Sequence, residues 1–152
     1  HPKLTGQFIG IGTEGSTAAP PVTTRFFAID AAAGTQAALP LAGWDTGRVR
    51  RAHAMDRSGT RFAVVDDQGS LRTVVRQSGA WAAGVAVNGV VPVMPTAAPW
   101  PASAVNNAKD EFYVTDPVAK QLVTVNSQTG AVISRADLGF TPSAITWTGI
   151  TR

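Results

Sequence analysis

Three stretches of this chain repeat one strand-turn unit, and that repeat limits the fold more than any other feature. Phe8, Phe62 and Phe112 stand 54 and 50 residues apart, and Gly34, Gly79 and Gly130 stand 45 and 51 apart. The unit is clearest in the last third. Pro101-Ala102-Ser103-Ala104-Val105 leads to Glu111-Phe112-Tyr113-Val114-Thr115-Asp116, then to Gln121-Leu122-Val123-Thr124-Val125-Asn126, and Pro142-Ser143-Ala144 starts the unit again. A repeat of about 50 residues that holds several short strands marks an array of β-sheets, not a helical solenoid.

Each period carries the same order. The first strand reads Gly6–Ile11, Arg61–Asp66 and Glu111–Asp116; the second reads Arg25–Asp30, Leu71–Val75 and Gln121–Asn126; the third reads Thr35–Leu41, Ala80–Val87 and Ala131–Leu138. All are rich in Val, Ile, Thr and Phe and are bounded by Gly, Asp or Asn. A leading strand precedes the complete units at Val49–Met55 and Ala102–Val105, and a final one, Ser143–Trp147, has no unit after it. The pattern predicts an all-β fold of β-propeller blades: about three four-stranded antiparallel blades plus a closing strand. The units run 1–47, 48–100 and 101–140, with closure over 141–150. Three blades fall short of the four to eight that close a ring. The expectation is therefore part of a larger propeller, completed by further blades of the same precursor or by self-association.

Two connectors break the pattern. Thr13–Thr24 carries Gly15, Pro20 and Pro21 and is expected as an irregular loop at a blade edge. Asn88–Trp100 carries Pro92, Pro95 and Pro99 and is expected as a stiff crossing between blades.

Composition narrows the class. Charged residues make up 15% of 152, the net charge is +3, and no apolar run is long enough for a membrane helix. The one basic cluster, Arg48-Val49-Arg50-Arg51, lacks the interleaved aromatics that base stacking needs, so no nucleic-acid partner is expected. Cysteine is absent, which excludes thiolate ligands and nucleophiles.

Residues 101–147 resemble a blade of the YVTN-type bacterial β-propellers. Pro101, Phe112-Tyr113-Val114-Thr115-Asp116, Val123-Thr124-Val125-Asn126, Thr129-Gly130, Gly139 and Pro142 carry the motif. Over 48–87, Arg51 replaces the proline and Phe62-Ala63-Val64-Val65-Asp66 replaces the signature. The Leu138-Gly139-Phe140-Thr141-Pro142 segment, the missing cysteines and a histidine on an inner strand are also similar to periplasmic zinc chaperones of the AztD type. The resemblance implies an exported, periplasmic or extracellular bacterial protein. It would be a binding protein and not an enzyme, with zinc passed to the solute-binding protein of a transport system.

Few residues could carry chemistry. His53 lies on the leading strand Val49–Met55, where a neutral imidazole facing the channel could ligate zinc, with Asp56 three residues on. His1 could join it: an N-terminal amine and imidazole with a second histidine make a three-nitrogen set suited to copper, as in histidine-brace oxygenases. The same few residues are compatible with a lactonase-like metal-dependent hydrolase, or with an interaction scaffold that takes no ligand. Gly10-Ile11-Gly12-Thr13-Glu14-Gly15 fits a dinucleotide fingerprint only if a helix follows, and Pro20-Pro21 opposes one. Asp66, Asp67 and Asp116 read as turn formers at strand ends, and no G-x-S-x-G elbow is present.

Overall fold

The computed structural model describes residues 7–16, 19–44, 47–56, 58–106, 108–146 and 148. The described residues form eleven strands: β1 (Gln7–Ser16), β2 (Ala19–Asp30), β3 (Thr35–Ala38), β4 (Arg50–Met55), β5 (Arg61–Asp66), β6 (Leu71–Gln77), β7 (Ala80–Val87), β8 (Ser103–Asn106), β9 (Glu111–Asp116), β10 (Gln121–Asn126) and β11 (Val132–Asp137). They make three antiparallel meanders, β1-β2-β3, β4-β5-β6-β7 and β8-β9-β10-β11. These are the blades of a β-propeller, with β4 and β8 as neighbouring inner strands.

The middle blade is buried on both faces, and its sequence shows why. Successive side chains of a strand point to opposite faces. Phe62 and Val64 of β5 pack with Val74, Phe26, Leu39 and Leu41 against the first blade. Ala63 and Val65 pack with Phe112, Val114, Val123 and Val125 against the third. The unbroken run Phe62-Ala63-Val64-Val65 is therefore a strand with two covered faces, where a half-exposed strand would alternate with polar residues. In the outer blades only one face is covered in this way. Ile9 packs toward the middle blade, and Phe8 beside it stands 53% exposed on the other side.

Polar strand ends anchor the hairpins. The Oδ1 atoms of Asp30, Asp116 and Asn126 accept backbone N–H groups two and three residues on, from Ala32 and Ala33, Val118 and Ala119, and Gln128 and Thr129. Asp66 Oδ1 accepts from Gln68 and Ser70, two and four residues on. The aspartates read from sequence as turn formers hold turns by this local geometry.

Three expectations change. Thr13–Thr24 is not an irregular loop: β1 and β2 pair from Gln7↔Asp30 through Glu14↔Thr23 to Ser16↔Ala19, with a bulge between Glu14 and Ser16. The β-branched run Val22-Thr23-Thr24 extends the ladder, and the bulge places its extra residues on β2, where residues 20–22 stand against Gly15 at φ +81°. The same ladder removes the helix that a nucleotide fingerprint needs. Ser143–Trp147 forms no strand over 143–146, where it pairs with none of the three sheets; residue 147 lies outside the described residues. Asn88–Trp100 does more than cross between blades. Val90 and Val91 are fully buried in the core between the second and third blades, and Arg135 of β11 donates to the carbonyls of Val90 (3.0 Å) and Gly89 (3.1 Å).

Gly69 carries that connector. It sits in the β5–β6 turn at φ +73°, its carbonyl accepts the Val91 N–H at 2.9 Å, and a Cβ there would meet the Val91 oxygen at 1.9 Å. Gly69→Ala should cost about 1–2 kcal/mol through its backbone angle alone, with the overlap adding to it. A urea midpoint equal to that of the parent would show that Val91 moves aside freely.

Candidate functional site

Inner strands line the channel of a propeller, and β4 is the inner strand that carries ionisable groups. It reads Arg50-Arg51-Ala52-His53-Ala54-Met55. Ala52 and Ala54 are buried against the third blade, while His53 is exposed. The strand carries a bulge: Arg50 faces Asp66 and Ala52 faces Val65, leaving Arg51 as the extra residue. A bulge of this kind breaks the alternation and re-aims a side chain. Here it sets the Arg51 guanidinium 4.1 Å from the centroid of Trp100, just ahead of β8. A guanidinium over an indole face is attracted by the ring quadrupole.

The imidazole of His53 lies 5.9 Å from the Phe62 ring, centroid to centroid. Its Nδ1 is 2.9 Å from Arg50 Nη1. A guanidinium can only donate, so Nδ1 accepts and the neutral ring carries its proton on Nε2. Partial burial, and then the Arg50 charge, lower the pKa of His53 from its ordinary 6.5. Burial and a like charge both disfavour the imidazolium, so the ring is neutral at pH 7.

That arrangement does not fit a metal. One ring nitrogen is engaged by Arg50 and the other holds the proton, while the guanidinium repels a cation. Asp56 is also committed. Its Oδ1 accepts the N–H groups of Thr60 (2.7 Å) and Arg61 (2.9 Å), and its Oδ2 accepts the hydroxyls of Ser58 and Thr60. It is the anchor of the β4–β5 turn. Among the described residues no three His, Asp or Glu side chains cluster as a metal site would require. His1 lies outside the described residues.

Asp66 is the polar hub behind the strand. It is fully buried, and its Oδ2 accepts Arg48 Nη1 at 3.1 Å and Arg72 Nε at 3.4 Å. Farther out, Arg61 pairs with Asp110 and also donates to Ser127 at 3.1 Å, joining the second blade to the third. The Arg61 hydrogen bond and charge hold the Asp110 carboxyl below the usual carboxylate range. Arg76 and Gln7 join the first two blades beside a cavity of about 240 Å³ walled by Ile9, Ala28 and Trp81. Sequence reasoning singled out His53 but not the bulge that places Arg51. The signal was present as Arg51 standing where the blade motif has proline.

No protein-family profile matches this sequence. No curated protein sequence matches it either. Among solved structures it superposes on AztD from Citrobacter koseri at 15% identity, with a TM-score of 0.63 over 92% of the chain. The apo form of the same protein gives 0.62 over 87%, also at 15% identity. The chain spans 39% and 36% of the length of those two AztD chains. No helix among the described residues is long and apolar enough to cross a membrane. In its described residues this chain is three consecutive β-propeller blades with the fold of AztD.

Proposed function

We propose that the chain is the blade-forming part of an exported β-propeller binding protein. It takes its ligand at the central channel and performs no catalysis of its own. The agreement of fold with AztD over 92% of the chain carries this reading. The sequence resemblance to periplasmic zinc chaperones supports zinc as the cargo, a periplasmic location and delivery to a transport system. The described residues hold no ready zinc site. The reading therefore assigns the zinc ligands to further blades or to a second copy, and not to His53, whose ring is held by Arg50.

The test is zinc content of the natively purified protein by mass spectrometry, with zinc titrated into His53→Ala alongside the parent. The reading expects bound zinc in the parent and, because Arg50 holds the His53 ring, unchanged affinity in His53→Ala. Weaker binding in His53→Ala would show instead that Arg50 yields the ring to the metal, and no zinc in either sinks the zinc reading. A second reading, an interaction propeller without ligand, would then stand, favoured by the engagement of both Asp56 oxygens and of His53 Nδ1.

A further inference from the structure

The groups that make β4 unsuited to a cation suit the opposite ligand. Arg50 and Arg51 are both partly buried, and among the described residues neither has a carboxylate partner. The carboxylate opposite Arg50 in the ladder, Asp66, is committed to Arg48 and Arg72. Burying part of a guanidinium without a counter-charge is costly unless something anionic compensates. Two buried polar atoms of the described residues lack a hydrogen-bond partner, and both lie on the inner strands: Arg51 Nε on β4 and Ser103 Oγ on β8. Buried polar atoms are nearly always paired, so two orphans on adjacent channel strands need an account. The bulge that frees Arg51 from the pleat supplies a third, independent sign, since bulges gather where a side chain must be re-aimed. The fourth is the contact of Arg50 Nη1 with His53 Nδ1 at 2.9 Å, which orients that guanidinium without neutralising it.

We infer that Arg50 and Arg51 of β4, with the Ser103 hydroxyl of β8, form an oxyanion-binding wall of the propeller channel. The ligand class is a phosphate or carboxylate group. The guanidinium fork matches two oxygens of either, and Trp100 holds the Arg51 plane. The inference shares the channel placement of the proposed function but needs no metal.

The test is calorimetric titration of the full chain with inorganic phosphate, and with citrate to tell a carboxylate preference from a phosphate preference. Either anion should bind the parent, weaken as NaCl is raised, and weaken at least tenfold in Arg50→Gln and in Arg51→Gln. Arg25→Gln, at the exposed Glu14 pair of the first hairpin, should leave it unchanged. Arg51→Lys keeps the charge and the cover over Trp100 but loses the fork, so it should fall between parent and Arg51→Gln, and it serves where the glutamine variant does not fold. Neither anion binding the parent, or affinity indifferent to Arg50 and Arg51, overturns the inference. Zinc content reads the other proposal separately: anion binding without zinc removes the metal cargo and leaves the oxyanion wall standing.

Discussion

Asp66→Ala is expected to lower the unfolding free energy by about 3–5 kcal/mol, the usual effect of removing one partner of a buried ionic cluster. The carboxylate is fully buried and serves four groups at once: the N–H groups of Gln68 (3.0 Å) and Ser70 (2.8 Å), and the guanidiniums of Arg48 and Arg72. Alanine would strand Arg72, itself 7% exposed, beside an apolar interior. It would also release the turn that carries Gly69 and, through it, the Val90-Val91 connector. Asp66→Asn keeps the shape and one acceptor oxygen, so it should cost less than alanine while still leaving both guanidiniums without a counter-charge. Urea unfolding monitored by tryptophan fluorescence measures both. A loss below about 1 kcal/mol in the alanine variant, the range of exposed ion pairs, would show that the cluster is solvated and not a hub.

Phe62→Ala should cost a similar amount, about 3–5 kcal/mol, through lost burial and the cavity left behind. The ring is 2% exposed and meets Phe26 edge-on at 5.7 Å, which in turn meets Trp44 at 5.1 Å. It is the central member of the cluster between the first and second blades. Phe62→Leu keeps most of the volume and should lose less than half as much. The alanine change also uncovers one side of His53. That relieves the first cause of the lowered histidine pKa, so an NMR titration should find it moved back toward 6.5. An unmoved pKa would assign the whole depression to Arg50. The sign for stability follows. A histidine whose folded pKa lies below the unfolded value opposes folding as pH falls below 6.5, so this contribution of His53 is absent above that pH and grows below it.

The zinc, anion and glycine tests separate what the channel does from what holds the blades. Gly69 and Asp66 act on the turn behind β4, whereas Arg50 and Arg51 are the residues of the proposed oxyanion wall. Substitution of the first pair should appear in unfolding curves, and of the second group in binding.

Strand placement was largely legible in the sequence. Arg61–Asp66, Ala80–Val87, Glu111–Asp116 and Gln121–Asn126 fall where their residues read as strands, since short β-branched runs between turn residues leave little choice. The glycines expected in the hairpin loops, Gly34, Gly79 and Gly130, have φ of +64°, +85° and +76°. The exceptions depend on partners. The first hairpin runs to Ser16 and Ala19 because two strands lying side by side can pair past a proline at the start of one, while Ser143 onward reads as a strand but pairs with no sheet over 143–146.

By itself the sequence determined local matters: strand identity, turn chemistry, the period and the number of blade units. Each depends on neighbours a few residues away, through backbone angles and side-chain alternation. Only the tertiary structure decided that Val90 and Val91 plug a core, that Asp56 is spent on a turn, and that a bulge lifts Arg51 onto Trp100. Those outcomes depend on which groups meet across blades, and charge and burial act through space. The repeat therefore foretold propeller blades with β4 as an inner strand, and the packing left Arg50 and Arg51 on it without a carboxylate partner among the described residues.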